Sequence, residues 1–171
     1  MSEAKRRVTL RFKRKELLHD IANIGYVEGD LQSEEEKQHD SHQTQDIVED
    51  GNVERVTRRL DLAYTTCVEC LRPYTNVDLT EDIEIDDTYS ETEMYEIVLE
   101  VESSFTRLHA EHLKNLIHEY LICEALGDWL SVTKVKASEN WYLKAEKAME
   151  EAQATLYTSG RCIEREYGPL G

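Results

Sequence analysis

Four cysteines stand at Cys67, Cys70, Cys123 and Cys162, and the first two form a CxxC pair, Cys67-Val68-Glu69-Cys70. Such a pair does redox chemistry when it sits at a helix N-terminus, where the dipole lowers the thiol pKa. Here the apolar spacing upstream puts it at the C-terminal end of a long helix, beside Glu69, where a thiolate is disfavoured. As half of a zinc site it needs a second pair. Cys123 and Cys162 are too far apart to be one. Packing as small hydrophobes in a core is the stronger reading.

His109-Ala110-Glu111-His112, followed by His118-Glu119, also offers metal-ligating types. Zinc proteases place histidines at i and i+4 on a helix, with a glutamate between them. His109 and His112 are at i and i+3, with no third ligand evident, whereas His112 and Glu119 share one helical face. A metal-binding protein or metal-dependent enzyme using His109, His112, His118 and Glu119 therefore stays open as an alternative. The competing reading is a polar first turn of a helix. His39, Asp40 and His42 lie in a polar stretch that implies no geometry. The acids at Asp78, Glu81, Asp82 and Glu84 to Asp87 lack the glycine and the bidentate glutamate of an EF-hand loop. There is no Gly-rich phosphate loop and no serine elbow. No catalytic residue and no cofactor are predicted.

The remaining candidates concern contacts. Trp129 and Trp141 flank a predicted turn holding Lys134 and Lys136, a basic spot on an acidic chain. The tryptophans would either anchor a partner or close the core between two helices. The charge is strongly segregated. Lys5, Arg6, Arg7, Arg11, Lys13, Arg14 and Lys15 crowd the beginning, and no lysine or arginine falls between Arg72 and Arg107. The net charge of -16 argues against a broad nucleic-acid footprint, which needs surplus lysine and arginine. No apolar run approaches the ~20 residues of a membrane span, and no secretory h-region follows the N-terminus. With the cysteines read as core thiols, a reducing, cytoplasmic setting is expected.

Elements to position these residues follow from periodicity. The chain of 171 residues suggests one domain, 1–158, with an acidic loop at 75–93 and a C-terminal tail at 159–171. In RVTLRFKR, Val8, Leu10 and Phe12 alternate with Arg7, Thr9, Arg11 and Lys13. In YEIVLEVE, Tyr95, Ile97, Leu99 and Val101 alternate with Glu96, Val98, Glu100 and Glu102. Period two predicts strands near 7–13 and 95–101. They are the chain's best alternators, so they are expected to pair antiparallel, setting Arg7, Arg11 and Lys13 against Glu96, Glu100 and Glu102. A short edge strand is entertained at Ile83 to Ile85.

Helical spacing predicts a short helix at 15–26 ended by Gly25 or Gly29. A second begins after Asn52, its expected N-cap, and stops at Pro73. A third, at 106–130 after Ser103-Ser104, is apolar on more than one side and should be central. A fourth starts near Ser138, with a stripe of Trp141, Ala145, Ala148, Met149, Ala152 and Leu156. Residues 31–46 read as a solvated helix or loop. The fold expected is mainly α, a bundle of three to five helices with a small antiparallel sheet.

In this order of elements the chain resembles the head-to-tail connector (neck adaptor) proteins of tailed phages. The likeness lies in a helix such as DGNVERVTRRLDLAYTTCVECLRPYT, a variable stretch, a helix such as LKNLIHEYLICEALGDWL and a final amphipathic helix, over residues 50–157. It is also similar to prophage-type proteins of gut Bacteroidetes through RVTLRFKRKELLHDI, VEDGNVERVTRRLDLA and LKNLIHEYLICEALGDWLS. No functional residue is carried over. The resemblance implies a non-enzymatic structural or interaction protein of virion assembly, self-associating into a ring. Charge segregation and the tryptophan-flanked turn, not the resemblance, make Arg7, Arg11, Lys13, Trp129, Lys134, Lys136 and Trp141 the candidate contacts. A third reading is an acidic partner-binding module.

Overall fold

The computed structural model describes residues 4–30, 47, 50–75 and 82–159. The predictions for residues 31–46, for the part of the acidic loop at 76–81 with Asp78 and Glu81, for Cys162 and for the tail beyond Ser159 fall outside that range. Among the described residues the order is β1 (Arg6–Lys13), α1 (Arg14–Asp30), α2 (Asp50–Cys70), a 3-10 turn (Arg72–Tyr74), β2 (Met94–Val101), α3 (Arg107–Thr133) and α4 (Val135–Ser159). This is the mainly α bundle with a small sheet that the periodicities predict.

The strands pair antiparallel in the register Arg7 to Glu100, Arg11 to Glu96 and Phe12 to Tyr95. Leu10, Phe12, Tyr95, Ile97, Leu99 and Val101 are buried, while Arg7, Thr9, Arg11, Lys13, Glu96 and Val98 are exposed. Alternation thus sends one face of each strand to the helices and the other to solvent. One expected pair differs. Lys13 lies opposite Met94, because the register places Glu96 and Glu100 opposite Arg11 and Arg7 and leaves no acid of β2 at the C-terminal end of β1. Glu102 lies just beyond the sheet.

The helix α3 is the hub. Leu113, Ile117, Leu121, Ile122, Cys123, Leu126 and Leu130 are buried around more than one side of it. It packs on α1, α2 and, over its greatest length, α4. Complete burial of a leucine or isoleucine contributes about 1.5–3 kcal/mol, so this helix carries much of the hydrophobic stabilisation. The expected stripe on α4 is buried from Ala145 to Leu156, and its alanines let the α3 and α4 backbones approach closely. Ser138 sits inside α4, not at its start, and donates its hydroxyl to the carbonyl of Gly127 at 2.8 Å.

Several element ends differ from the expectations, and packing explains the differences. Helix α1 runs through Gly25, which is buried, as far as Asp30. Gly51 and Asn52 lie inside α2, which begins at Asp50. A glycine in a helix costs about 1 kcal/mol, which tertiary contacts readily offset. Pro73 sits in the 3-10 turn that follows α2. The cap of α3 is Thr106, not Ser103 or Ser104. Ile83 to Ile85 form no strand in the described structure, and the loop segment 82–93 has no regular secondary structure.

Candidate interaction surfaces

Among the described residues that suggested chemistry, His109, His118, Cys67 and Cys123 take part in capping, cross-helix bonds and core packing. The backbone N–H of His109 donates to Thr106 Oγ1 at 3.3 Å, and His109 Nδ1 accepts from the backbone N–H of Thr106 at 3.0 Å. This is a capping box in which histidine takes the place usually held by Glu or Gln. His112 is exposed. His118 lies 2.7 Å from Asp20 Oδ2 and so ties α3 to α1. Glu119 accepts from the Cys123 thiol at 3.6 Å. The three histidines thus serve separate surroundings, and no group of three or more His, Cys, Asp or Glu converges among the described residues.

The thiols are core groups. Cys67 is completely buried, and burial pushes its pKa up to about 12. Burial does the same to Cys123, with the neighbouring Glu119 adding to it. Protonated thiols of this kind are poor nucleophiles and poor metal ligands. Cys70 is half-buried, and its carbonyl accepts from Gln153 of α4.

The residues predicted to make contacts fall in different settings. Arg7, Arg11 and Lys13 lie exposed on the outer face of β1, and Arg11 Nε donates to Glu96 Oε2 at 2.8 Å. The loop expected around Lys134 is a single residue between α3 and α4. Lys134 Nζ donates to the carbonyl of Glu28 at 2.9 Å, where a cation suits the C-terminal end of α1. It is therefore a cross-helix cap and not a free basic spot. Lys136 is exposed. Trp129 and Trp141 are both half-buried against the core, with Arg55 over one ring at 6.0 Å and Lys144 over the other at 4.2 Å. Both lie within two turns of the α3–α4 junction and pack against the core there, so the structure does not leave them as a bare aromatic anchor.

A polar seam that the sequence reading did not identify joins α2 to the strands. Arg14 is buried at the junction of β1 and α1, and its Nη1 donates to Thr57 Oγ1 at 3.0 Å. Its Nη2 pairs with Glu91. Tyr95 donates its hydroxyl to Asp61 Oδ1 at 2.7 Å, and Tyr64 donates to the carbonyl of Glu96 at 2.6 Å. Burial, reinforced by the bond to Asp61, raises the pKa of Tyr95. Arg58 lies 3.4 Å from Asp87 and 5.6 Å from the ring of Tyr89. These bonds pin the C-terminal half of segment 82–93 along α2. Its N-terminal half projects, with Ile83 and Ile85 59% and 85% exposed. The one available hint was composition: an arginine between a strand and a helix, and tyrosines within apolar stripes.

Two shallow hollows flank this seam. One of about 350 Å³ lies between α2 and β2, bounded by Tyr64, Val68, Thr75 and Val98. The other, of about 310 Å³, lies over Arg58, Asp61, Asp87 and Tyr89. No helix among the described residues is long and apolar enough to cross a membrane. Comparison with protein-family models, with curated proteins and with solved structures finds no match.

Proposed function

We propose that this is a non-enzymatic structural protein that assembles with copies of itself, in the manner of the phage or prophage connectors it resembles in element order. One observation carries the reading. A single chain exposes a basic strand, with Arg6, Arg7, Arg11 and Lys13, and an acidic irregular segment, with Asp82, Glu84, Asp86 and Asp87. Surfaces of opposite charge at different places on one molecule favour head-to-tail contact, which closes into a ring or runs on as a filament. The engagement of the thiols and of His109 and His118 in packing, capping and cross-helix bonds agrees with a scaffold role.

Sedimentation of the full chain at low and high salt tests this. Mass that rises with protein concentration and falls with added salt is the expected result. A monomer indifferent to both overturns the proposal. Portal and capsid genes beside its own gene would tie the assembly to a virion.

A further inference from the structure

We propose that residues 82–86 of one copy add as a third strand to the free edge of β1 in a second copy. The inference rests on the self-association reading above and names the surfaces that meet.

The edge geometry follows from two bonds. The backbone N–H of Arg14 donates to the carbonyl of Glu93 at 3.0 Å, so this pair is hydrogen-bonded across the strands. Antiparallel ladders alternate, so Phe12 with Tyr95 and Leu10 with Ile97 are bonded pairs, and Arg11 with Glu96 is not. The Tyr64 hydroxyl on the outward carbonyl of Glu96 agrees with that parity. The backbone groups of Arg7, Thr9 and Arg11 therefore point away from β2. Among the described residues the sheet holds only β1 and β2, so no further strand takes them up.

The donor has matching length and chemistry. Asp82-Ile83-Glu84-Ile85-Asp86 has no regular secondary structure of its own, is exposed, and alternates acid with isoleucine. Five residues of strand, at about 3.3 Å each, span the same length as Arg7 to Arg11. Laid beside β1, the acids fall on the solvent face with Arg7 and Arg11, and Ile83 and Ile85 fall on the face of Val8 and Leu10. β2 already presents this arrangement on the other side, with Glu96 and Glu100 outward and Ile97 and Leu99 inward. Asp86 accepts from the backbone N–H of Thr88 at 2.9 Å, which turns the chain and bounds the donor.

The acceptor belongs to another copy because the donor is tethered elsewhere in its own. Asp87 is held by Arg58 of α2, and α2 covers the β2 side of the sheet through Tyr64. Charge selects the occupant. Two basic β1 edges repel one another, which is how edge strands avoid self-pairing, whereas an acidic strand is attracted. Main-chain bonds then supply affinity and the alternate side chains supply selectivity.

Light scattering of the full chain, wild type against Ile83→Lys/Ile85→Lys, tests the proposal, with circular dichroism checking that both are folded. Both isoleucines are exposed, so the fold tolerates the change. The double variant is expected to associate at least about tenfold more weakly. Amide exchange at Thr9 and Arg11 should slow on association of the wild type and not of the variant. Unchanged association of the variant, or unchanged exchange at these amides while the wild type assembles, overturns strand addition and leaves self-association standing. A wild type that never associates overturns both.

Discussion

Arg11 and Glu96 face one another across the β1–β2 ladder, with Nε and Oε2 2.8 Å apart. The pair joins residues from the beginning and the middle of the chain, yet its side chains remain 60% and 48% exposed. Solvent screens such a pair, and cross-strand charge pairs contribute about 0.2–1 kcal/mol. A double-mutant cycle with Arg11→Ala and Glu96→Ala, followed by urea unfolding, should give a coupling in that range that shrinks at high salt. A coupling well above it would mean that the pair is less solvated than its exposure indicates.

Gly127 is required by Tyr142. A methyl group on Gly127 would lie 2.8 Å from Tyr142 Cε1, and Tyr142 also lies beneath the guanidinium of Arg59 at 5.8 Å. Gly127→Ala improves helix propensity by about 1 kcal/mol, but it drives the ring out of place, at about 1–3 kcal/mol. Net destabilisation is expected. With Tyr142→Ala in place the same change should become stabilising, and thermal unfolding of the four proteins will show whether its sign reverses.

Arg14 holds segment 82–93 to the bundle. Its buried guanidinium joins Thr57 of α2 to Glu91, while its backbone N–H reaches the carbonyl of Glu93. Arg14→Met keeps the aliphatic stem and removes the side-chain bonds, with an expected loss of about 1.5–3 kcal/mol. Amide exchange over residues 88–93 should quicken more than exchange in α3. Uniform quickening would point to a global effect and against this tether.

Alkaline pH should destabilise the fold. Burial raises the Cys67 and Cys123 thiols from 9.0 to about 12. Their stabilising contribution is intact below the unfolded value and is lost as pH rises toward the folded one. Between about pH 9 and pH 12 the unfolded chain gives up protons that the folded chain keeps, so unfolding free energy falls, by about 1 kcal/mol per pH unit for each thiol. Burial raises the Tyr95 and Tyr120 phenols as well, which extends the decline. Urea midpoints measured across that range in Cys67→Ala should fall less steeply than in the wild type.

The strands and the four described helices were legible in the sequence because their periods are local. Alternation marked Val8 to Phe12 and Tyr95 to Val101, and three-and-four spacing marked α3 as the helix touched from several sides. Even the pairing of the strands was readable, since the two best alternators carried opposite charge. The thiols were legible too, as Cys67 falls on the apolar stripe of α2.

What the sequence left open depends on contacts between distant residues. Nothing local to Lys134 reveals that it caps Glu28, or local to His118 that it meets Asp20. Glycines at 25 and 51 read as stops, yet burial and packing carry helices through them. The register that sets Arg11 on Glu96 and leaves Lys13 beside Met94 came from the placement of the strands on the bundle. Local spacing determines which face of each element is apolar. Only the joint packing of those faces decides which polar groups meet, which are buried with a partner, and which edge is left open to solvent.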